Sequence, residues 1–177
     1  ASKYGDSFYS YDCGGTYKWY LTQYIETARE VGAIPVLVTP VSRLYYTNDG
    51  TIKPHHDSTD TTTGTLVTEN NAYVEAVKQL AKEQNVLLID GFEITKNMYE
   101  EAYKADEKAA NGKSVNGMQV MSAGDSTHSN KLGGFITAEL FAQQIQNMNI
   151  SLSKAVKAPS RVAGVNPDGP VSYTHLT

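Results

Sequence analysis

Two apolar patterns alternate along the chain. Tyr17, Tyr20, Leu21, Tyr24, Ile25, Ala28 and Val31 recur at the i, i+3, i+4, i+7 spacing of one helical face. This predicts a helix that buries the stripe, with Gly32 placed for a left-handed C-terminal residue. Residues 34–39 form a short β-branched run closed by Pro40, the pattern of a buried strand whose continuation leaves the sheet. The alternation then repeats. Tyr73, Val74, Val77, Leu80 and Ala81 share one face of a helix predicted over 68–84, with Thr68 or Asn70 as its cap, and residues 86–90 follow as a second buried strand.

Further along, residues 94–110 mix Tyr, Met and Ala with charges and predict a partly exposed helix, which 111–117 break. Residues 118–122 suit a short extended piece, and a last helix over 131–147 is apolar at Leu132, Phe135, Ile136, Leu140, Phe141 and Ile145. The stretch 41–68 is rich in Thr, Asp, Gly and His with little periodicity, and a connection of that length is expected to be functional. Residues 1–15 read as loop, and Pro159, Pro167 and Pro170 mark a linker or tail beyond Asn149. Residues 171–177 resemble translated adapter sequence and are set aside from the fold argument. Helices alternating with strands predict an α/β fold. Two strands are too few for a sheet that helices cover on both faces, so the expectation is the C-terminal portion of a larger sheet.

Composition narrows the function. With 177 residues, 40% hydrophobic and 19% charged, the chain is long enough for one domain with a core. The net charge of -4 and the scattering of the 15 Lys and Arg leave no basic stripe, so a nucleic-acid partner is not expected. No apolar run approaches the roughly 20 residues that cross a bilayer, so no membrane span is expected either. Cys13 is the single cysteine, without a companion for a disulfide or a metal site. The chain begins at Ala1 with neither Met nor a signal peptide, and it reads as a fragment.

The sharpest chemical signal is Asp125-Ser-Thr-His128, followed by Asn130 and Gly133-Gly134. Across one tight turn, a carboxylate three residues before a histidine can accept the imidazole Nδ1–H, which fixes the tautomer and leaves Nε2 as a base. A second reading also fits, in which Asp125 and Ser126 cap the turn and His128 is an exposed loop residue. His55 and His56 are candidate substrate contacts in the long loop, or merely solvated, and no Cys or carboxylate set at ligand spacing supports zinc. Arg43 suits an acidic sugar carboxylate or a salt bridge at a strand end. Tyr45 and Tyr46, in the long loop, are candidates for stacking on a ring of a ligand, whereas Trp19 lies within a helix. Asp90 ends a strand, where α/β folds place ligands or simply a turn residue.

Taken in order, Leu37-Val-Thr-Pro-Val-Ser-Arg43 after a strand, Leu88-Ile-Asp90 closing the next, and Asp125-Ser-Thr-His-Ser-Asn-x-x-Gly133 before the last helix resemble the SGNH (GDSL-like) hydrolase superfamily. Within it they are similar to the rhamnogalacturonan acetylesterase-like carbohydrate esterases. The resemblance covers about residues 1–148, leaving 149–177 as the tail. It implies a three-layer α/β/α sandwich with a parallel sheet, flavodoxin-like, of which this chain is the C-terminal portion. It also implies a secreted serine esterase that removes O-acetyl groups from a plant cell-wall polysaccharide such as pectin, without metal or organic cofactor. The alternatives are an SGNH lipase or small-ester hydrolase and a non-catalytic α/β carbohydrate-binding module. The family's roles carry over to His128 as general base and Asp125 as its orienter. Gly5-Asp6-Ser7 looks like the family's nucleophile block, but only residues 1–4 precede it where a buried strand belongs. The expectation is therefore a nucleophile upstream of Ala1 and a fragment inactive alone.

Overall fold

The computed structural model describes residues 17–53, 73–105, 114–115, 118–122 and 125–157. Their order is α1 (Tyr17–Glu30), β1 (Val36–Val38), α2 (Tyr73–Glu83), β2 (Leu87–Ile89), α3 (Gly91–Ala105), β3 (Ser114–Val115), β4 (Met118–Gln119), α4 (Lys131–Gln146) and α5 (Ser151–Ala155). The chain divides into two compact units, residues 1–42 with 54–92, and residues 43–53 with 93–177.

In the first unit the helix–strand alternation is built twice by the same device. After α1, Gly32 at φ +74° lets Gly32 N–H donate to Arg29 C=O and Ala33 N–H to Ala28 C=O, both at 2.9 Å. After α2, Asn85 at φ +49° lets Asn85 N–H reach Lys82 C=O at 3.3 Å and Val86 N–H reach Ala81 C=O at 2.8 Å. Both are Schellman closures, which satisfy the last carbonyls of the helix and turn the chain into the next strand. Glycine meets the left-handed conformation after α1 without cost; asparagine, the commonest substitute, meets it after α2. β1 and β2 then pair in parallel, with Val36, Leu37 and Val38 opposite Leu87, Leu88 and Ile89. The unit is therefore α/β with a small parallel sheet.

The core of this unit is Ile25, Leu80 and Val86, with Leu21 and Leu37 packed against them. Complete burial of a side chain such as Ile25 or Leu80 contributes about 1.5–3 kcal/mol. The buried face of α1 keeps only part of the expected stripe, Tyr17, Leu21, Ile25 and Ala28. Lys18, Thr22 and Ile25 are buried, while Tyr20 and Tyr24 are 53% and 73% exposed and Val31 is exposed as well. The rotation follows from polar groups that find internal partners. The Lys18 ammonium lies 3.3 Å from Glu83 and 3.0 Å from the Gln79 side-chain oxygen, and Thr22 Oγ1 donates to the Lys18 carbonyl at 2.8 Å. With its charge met on α2, a lysine stem covers the interface as well as an aromatic does. Tyr17 stays at the interface, edge-on to Tyr73 at 4.9 Å. The strands are also less covered than their composition suggests, because Val38 and Leu87 are exposed and only Ile89 is buried.

The chain leaves β2 directly into α3, earlier than the pattern over 94–110 predicts. The buried Thr39 hydroxyl explains the early start: it donates to Asp90 Oδ1 at 2.9 Å and accepts Phe92 N–H at 2.9 Å, so an orphan N–H of the first turn is met from β1's end. Asp90 also pairs with Lys78 at 2.7 Å, which gives this strand-end carboxylate a structural role.

The second unit gathers Leu44, Ile52, Met98, Tyr99, Ala102, Val120, Met121 and Ile136 into one core, with Tyr46, Leu132 and Leu140 against it. Residues 43–53 turn back on themselves, bridged at Tyr46 and Ile52, with Thr47 N–H donating to Thr51 C=O at 2.8 Å. Gly50 at φ +83° makes the bend, and the Tyr103 ring packs where its Cβ would stand. β3, in the stretch expected only to break a helix, pairs antiparallel with β4, which falls in the expected short extended piece. α4 matches its predicted span within a residue, and the short α5 falls in the stretch expected to be linker. Thr68, Asn70, His55, His56, Cys13 and Ser7 lie outside the described residues.

Candidate active site

The Asp125–His128 turn sits on a base closed by backbone pairing. Asn130 N–H donates to Val120 C=O at 3.0 Å, Ser122 N–H donates to His128 C=O at 2.9 Å, and Met121 and Ser129 form an antiparallel bridge between them. Val120 and Met121 are buried in the core of the second unit, so one leg of the turn is anchored. The other leg runs into α4, whose N-cap is Asn130, with its side-chain oxygen accepting Gly133 N–H at 3.0 Å. The Asn130 amide also donates to Met121 C=O at 3.3 Å. Gly133 is required here because a Cβ at that position would collide with the Val120 carbonyl oxygen.

Within the turn, Asp125 does both things its position allows. Its Oδ1 accepts Thr127 N–H at 2.6 Å and His128 N–H at 3.1 Å, which shapes the turn. Its Oδ2 lies 2.6 Å from His128 Nδ1. Asp125 thus caps the turn, while the helix itself is capped by Asn130. The Thr127 backbone donor, the His128 ring and the His128 backbone donor together hold the Asp125 carboxyl well below the usual carboxylate range. An ionised Asp125 places the shared proton on Nδ1, so the neutral ring presents a bare Nε2 lone pair. The Asp125 side chain is 30% exposed and the His128 side chain 77%, so the carboxylate is sheltered while the ring reaches outward. The His128 ring makes no other hydrogen bond among the described residues.

Residues 43–45 lie against this turn. Leu44 N–H donates to Ser126 C=O at 2.9 Å, and the Ser126 side chain, with help from Thr127 and Arg43, holds the Tyr45 phenol below the usual tyrosine range. Arg43 is half-buried on the segment whose Leu44 meets Ser126, whereas His55 and His56 lie outside the described residues. The aromatic pair divides. Tyr45 is 41% exposed, while Tyr46 turns inward, donating its hydroxyl to Tyr99 C=O at 2.8 Å and packing on Tyr103. Sequence reasoning missed this division, although the order of Leu44, Tyr45 and Tyr46, buried, exposed and half-buried, is the period-two alternation of an extended leg.

Among the described residues no three His, Cys, Asp or Glu side chains stand together to hold a metal ion, and no helix is long and apolar enough to cross a membrane.

A carboxylate-oriented histidine with an open Nε2 is the acid–base half of a serine-type hydrolase site. No family model matches the chain, and no solved structure does. Two curated proteins match. The probable rhamnogalacturonan acetylesterase YesY of Bacillus subtilis (strain 168) is 36% identical over 143 residues, 80% of this chain and 55% of that protein. The rhamnogalacturonan acetylesterase RhgT of the same organism is 32% identical over 146 residues, 77% of this chain and 54% of that protein. The chain is therefore related to rhamnogalacturonan acetylesterases, a kind of carboxylic ester hydrolase, as its ordered motifs suggest. It spans about half the length of the curated relatives it matches.

Proposed function

We propose that the protein is a secreted serine esterase that removes O-acetyl groups from a plant cell-wall polysaccharide of the rhamnogalacturonan type. The observation that carries this reading is the 2.6 Å contact between His128 Nδ1 and Asp125 Oδ2, in a chain related to acetylesterases. A serine hydroxyl attacks the acetyl carbonyl while His128 Nε2 takes its proton. His128 then protonates the departing sugar oxygen, and a water, deprotonated by the same nitrogen, releases acetate from the acyl-serine. Asp125 keeps the ring in its tautomer and stabilises the imidazolium that forms. The attacking serine is assigned outside the described residues.

Arg43, beside the turn, is the substrate contact, since a guanidinium forks onto the carboxylate of an acidic sugar. His55 and His56, which follow in the chain, are assigned to the same role. Residues 1–148 are the C-terminal portion of a three-layer α/β/α sandwich, and 149–177 its tail.

The test measures acetate released from acetylated rhamnogalacturonan by the intact gene product and its His128→Ala variant, with fluorophosphonate labelling of each. The expected result is release that depends on His128 and a label on a serine outside the described residues. Release indifferent to His128→Ala would sink the site. Turnover confined to long-chain esters would sink the substrate.

A further inference from the structure

Asn130 stands two residues after His128, and its side chain uses both of its polar atoms. The oxygen accepts Gly133 N–H at 3.0 Å, and the amide nitrogen donates to Met121 C=O at 3.3 Å, nine residues back. We propose that Asn130 is a positioning residue: it fastens the start of α4 to the buried Met121 and so closes the turn that presents Asp125 and His128.

Capping alone does not call for asparagine, since serine and aspartate cap a helix about as well. Neither of those carries a donor and an acceptor on separate atoms, and here both are used at once. The two partners lie on opposite legs of the turn: Gly133 in the first turn of α4, and Met121 in the antiparallel bridge with Ser129. So short a side chain reaches both only because the legs approach closely. Gly133 permits the approach, because a Cβ there would strike the Val120 carbonyl oxygen, the same atom that accepts Asn130 N–H at 3.0 Å.

Met121 is an effective anchor for the pair. It is buried in the core of the second unit, and its neighbour Ser122 holds both members of the pair through the backbone. Ser122 N–H donates to His128 C=O at 2.9 Å, and Ser122 C=O accepts Asp125 N–H at 3.0 Å. Tying the outgoing leg to Met121 therefore keeps Asp125 and His128 at the separation that the 2.6 Å contact between Oδ2 and Nδ1 requires. Without the tie the outgoing leg would hang on backbone bonds alone, and the carboxylate would divide its time between the ring and water. The bearing on catalysis rests on the esterase reading, whereas the tie is measured without turnover, so either can fail alone.

The test uses the 177-residue chain. Asn130→Ser keeps an oxygen for Gly133 N–H but is too short to reach Met121 as well, and Asn130→Asp keeps the cap and the reach but puts an acceptor where the donor was. In both variants the Ser122, Thr127 and His128 amides should exchange with solvent roughly five- to tenfold faster, as for the loss of one net hydrogen bond. In Asn130→Ser, which adds no charge, carbon-13 carboxyl NMR should show the Asp125 midpoint rising toward the ordinary carboxylate range. The Gly133 amide, which reports the cap, and the Ile52 amide, held by Glu100 at 2.8 Å, should keep their wild-type rates. The proposal is overturned if the Ser122 amide and the Asp125 midpoint stay at wild-type values, which would leave Asn130 a helix cap alone, or if the Gly133 and Ile52 amides accelerate equally, which would mean general loosening. These shifts in a protein without esterase activity would leave the tie standing and remove its bearing on catalysis.

Discussion

Asp125 holds His128 at two points, by the ring nitrogen Nδ1 at 2.6 Å through Oδ2 and by the backbone N–H at 3.1 Å through Oδ1. One carboxylate thus sets both the direction of the imidazole and the shape of the chain that carries it. Replacing Asp125 by Asn keeps the size and loses the charge, and the amide nitrogen can reverse the tautomer. In the intact gene product, Asp125→Asn should lower kcat for acetyl-ester hydrolysis on the order of 10³–10⁴-fold with little change in KM. A loss below tenfold in steady-state assays would rule out the orienting role.

The same carboxylate makes stability depend on acid. Its folded value lies below the unfolded one, so the unfolded chain takes up the proton first as pH falls. The stabilisation is complete above the ordinary carboxylate range and is lost as pH drops from there toward the depressed folded value. Thermal unfolding followed by circular dichroism from pH 7 downward should show this loss, and Asp125→Asn should flatten that part of the curve.

The paired glycines at the start of α4 should respond in opposite directions. At Gly133 an added Cβ meets the Val120 carbonyl oxygen, a backbone atom that the turn's base holds in place, so Gly133→Ala should cost about 1–3 kcal/mol. At Gly134 nothing lies within 4 Å, so Gly134→Ala should stabilise by about 0.5–1 kcal/mol through the lower entropy of the unfolded chain. Urea denaturation of the two variants measures both.

Neighbouring tyrosines should titrate apart. Burial pushes the Tyr99 phenol up to about 12 and raises Tyr46 as well, while Tyr45, whose oxygen collects donors, is lowered. An ultraviolet titration of Tyr45→Phe should lose an early-ionising component, and Tyr99→Phe a late one. Because Tyr46 and Tyr99 ionise more easily unfolded than folded, their stabilisation is complete below the ordinary tyrosine value and is lost as pH rises toward the folded values. Tyr99→Phe should lessen the alkaline fall in Tm.

The parallel strands leave apolar side chains open to solvent, with Ile34, Val38, Val41 and Leu87 all exposed. Parallel sheets are ordinarily covered on both faces, and open apolar surface of this kind binds hydrophobic dyes. The chain should enhance ANS fluorescence, and the pair Val38→Thr with Leu87→Thr should reduce the enhancement. An unchanged signal would place the dye elsewhere.

The sequence by itself determined the local elements and the chemical pair. Helix and strand follow from residue spacing, the turn after α1 from Gly32, and the Asp–His contact from three-residue spacing across one turn, all interactions of residues near in the chain. Where partners come from far along the chain, only the tertiary structure decided. Lys18 joined Tyr17 at the α1 interface and left Tyr20 and Tyr24 exposed, because Glu83 and Gln79 meet its charge, and α3 began at Gly91 because Thr39 supplied a cap. Tyr45 stayed exposed while Tyr46 turned in to bond Tyr99 C=O, although both are tyrosines on one short hairpin. Spacing records which face of an element a residue occupies; what that face meets depends on contacts that close over tens of residues, and no local pattern encodes them.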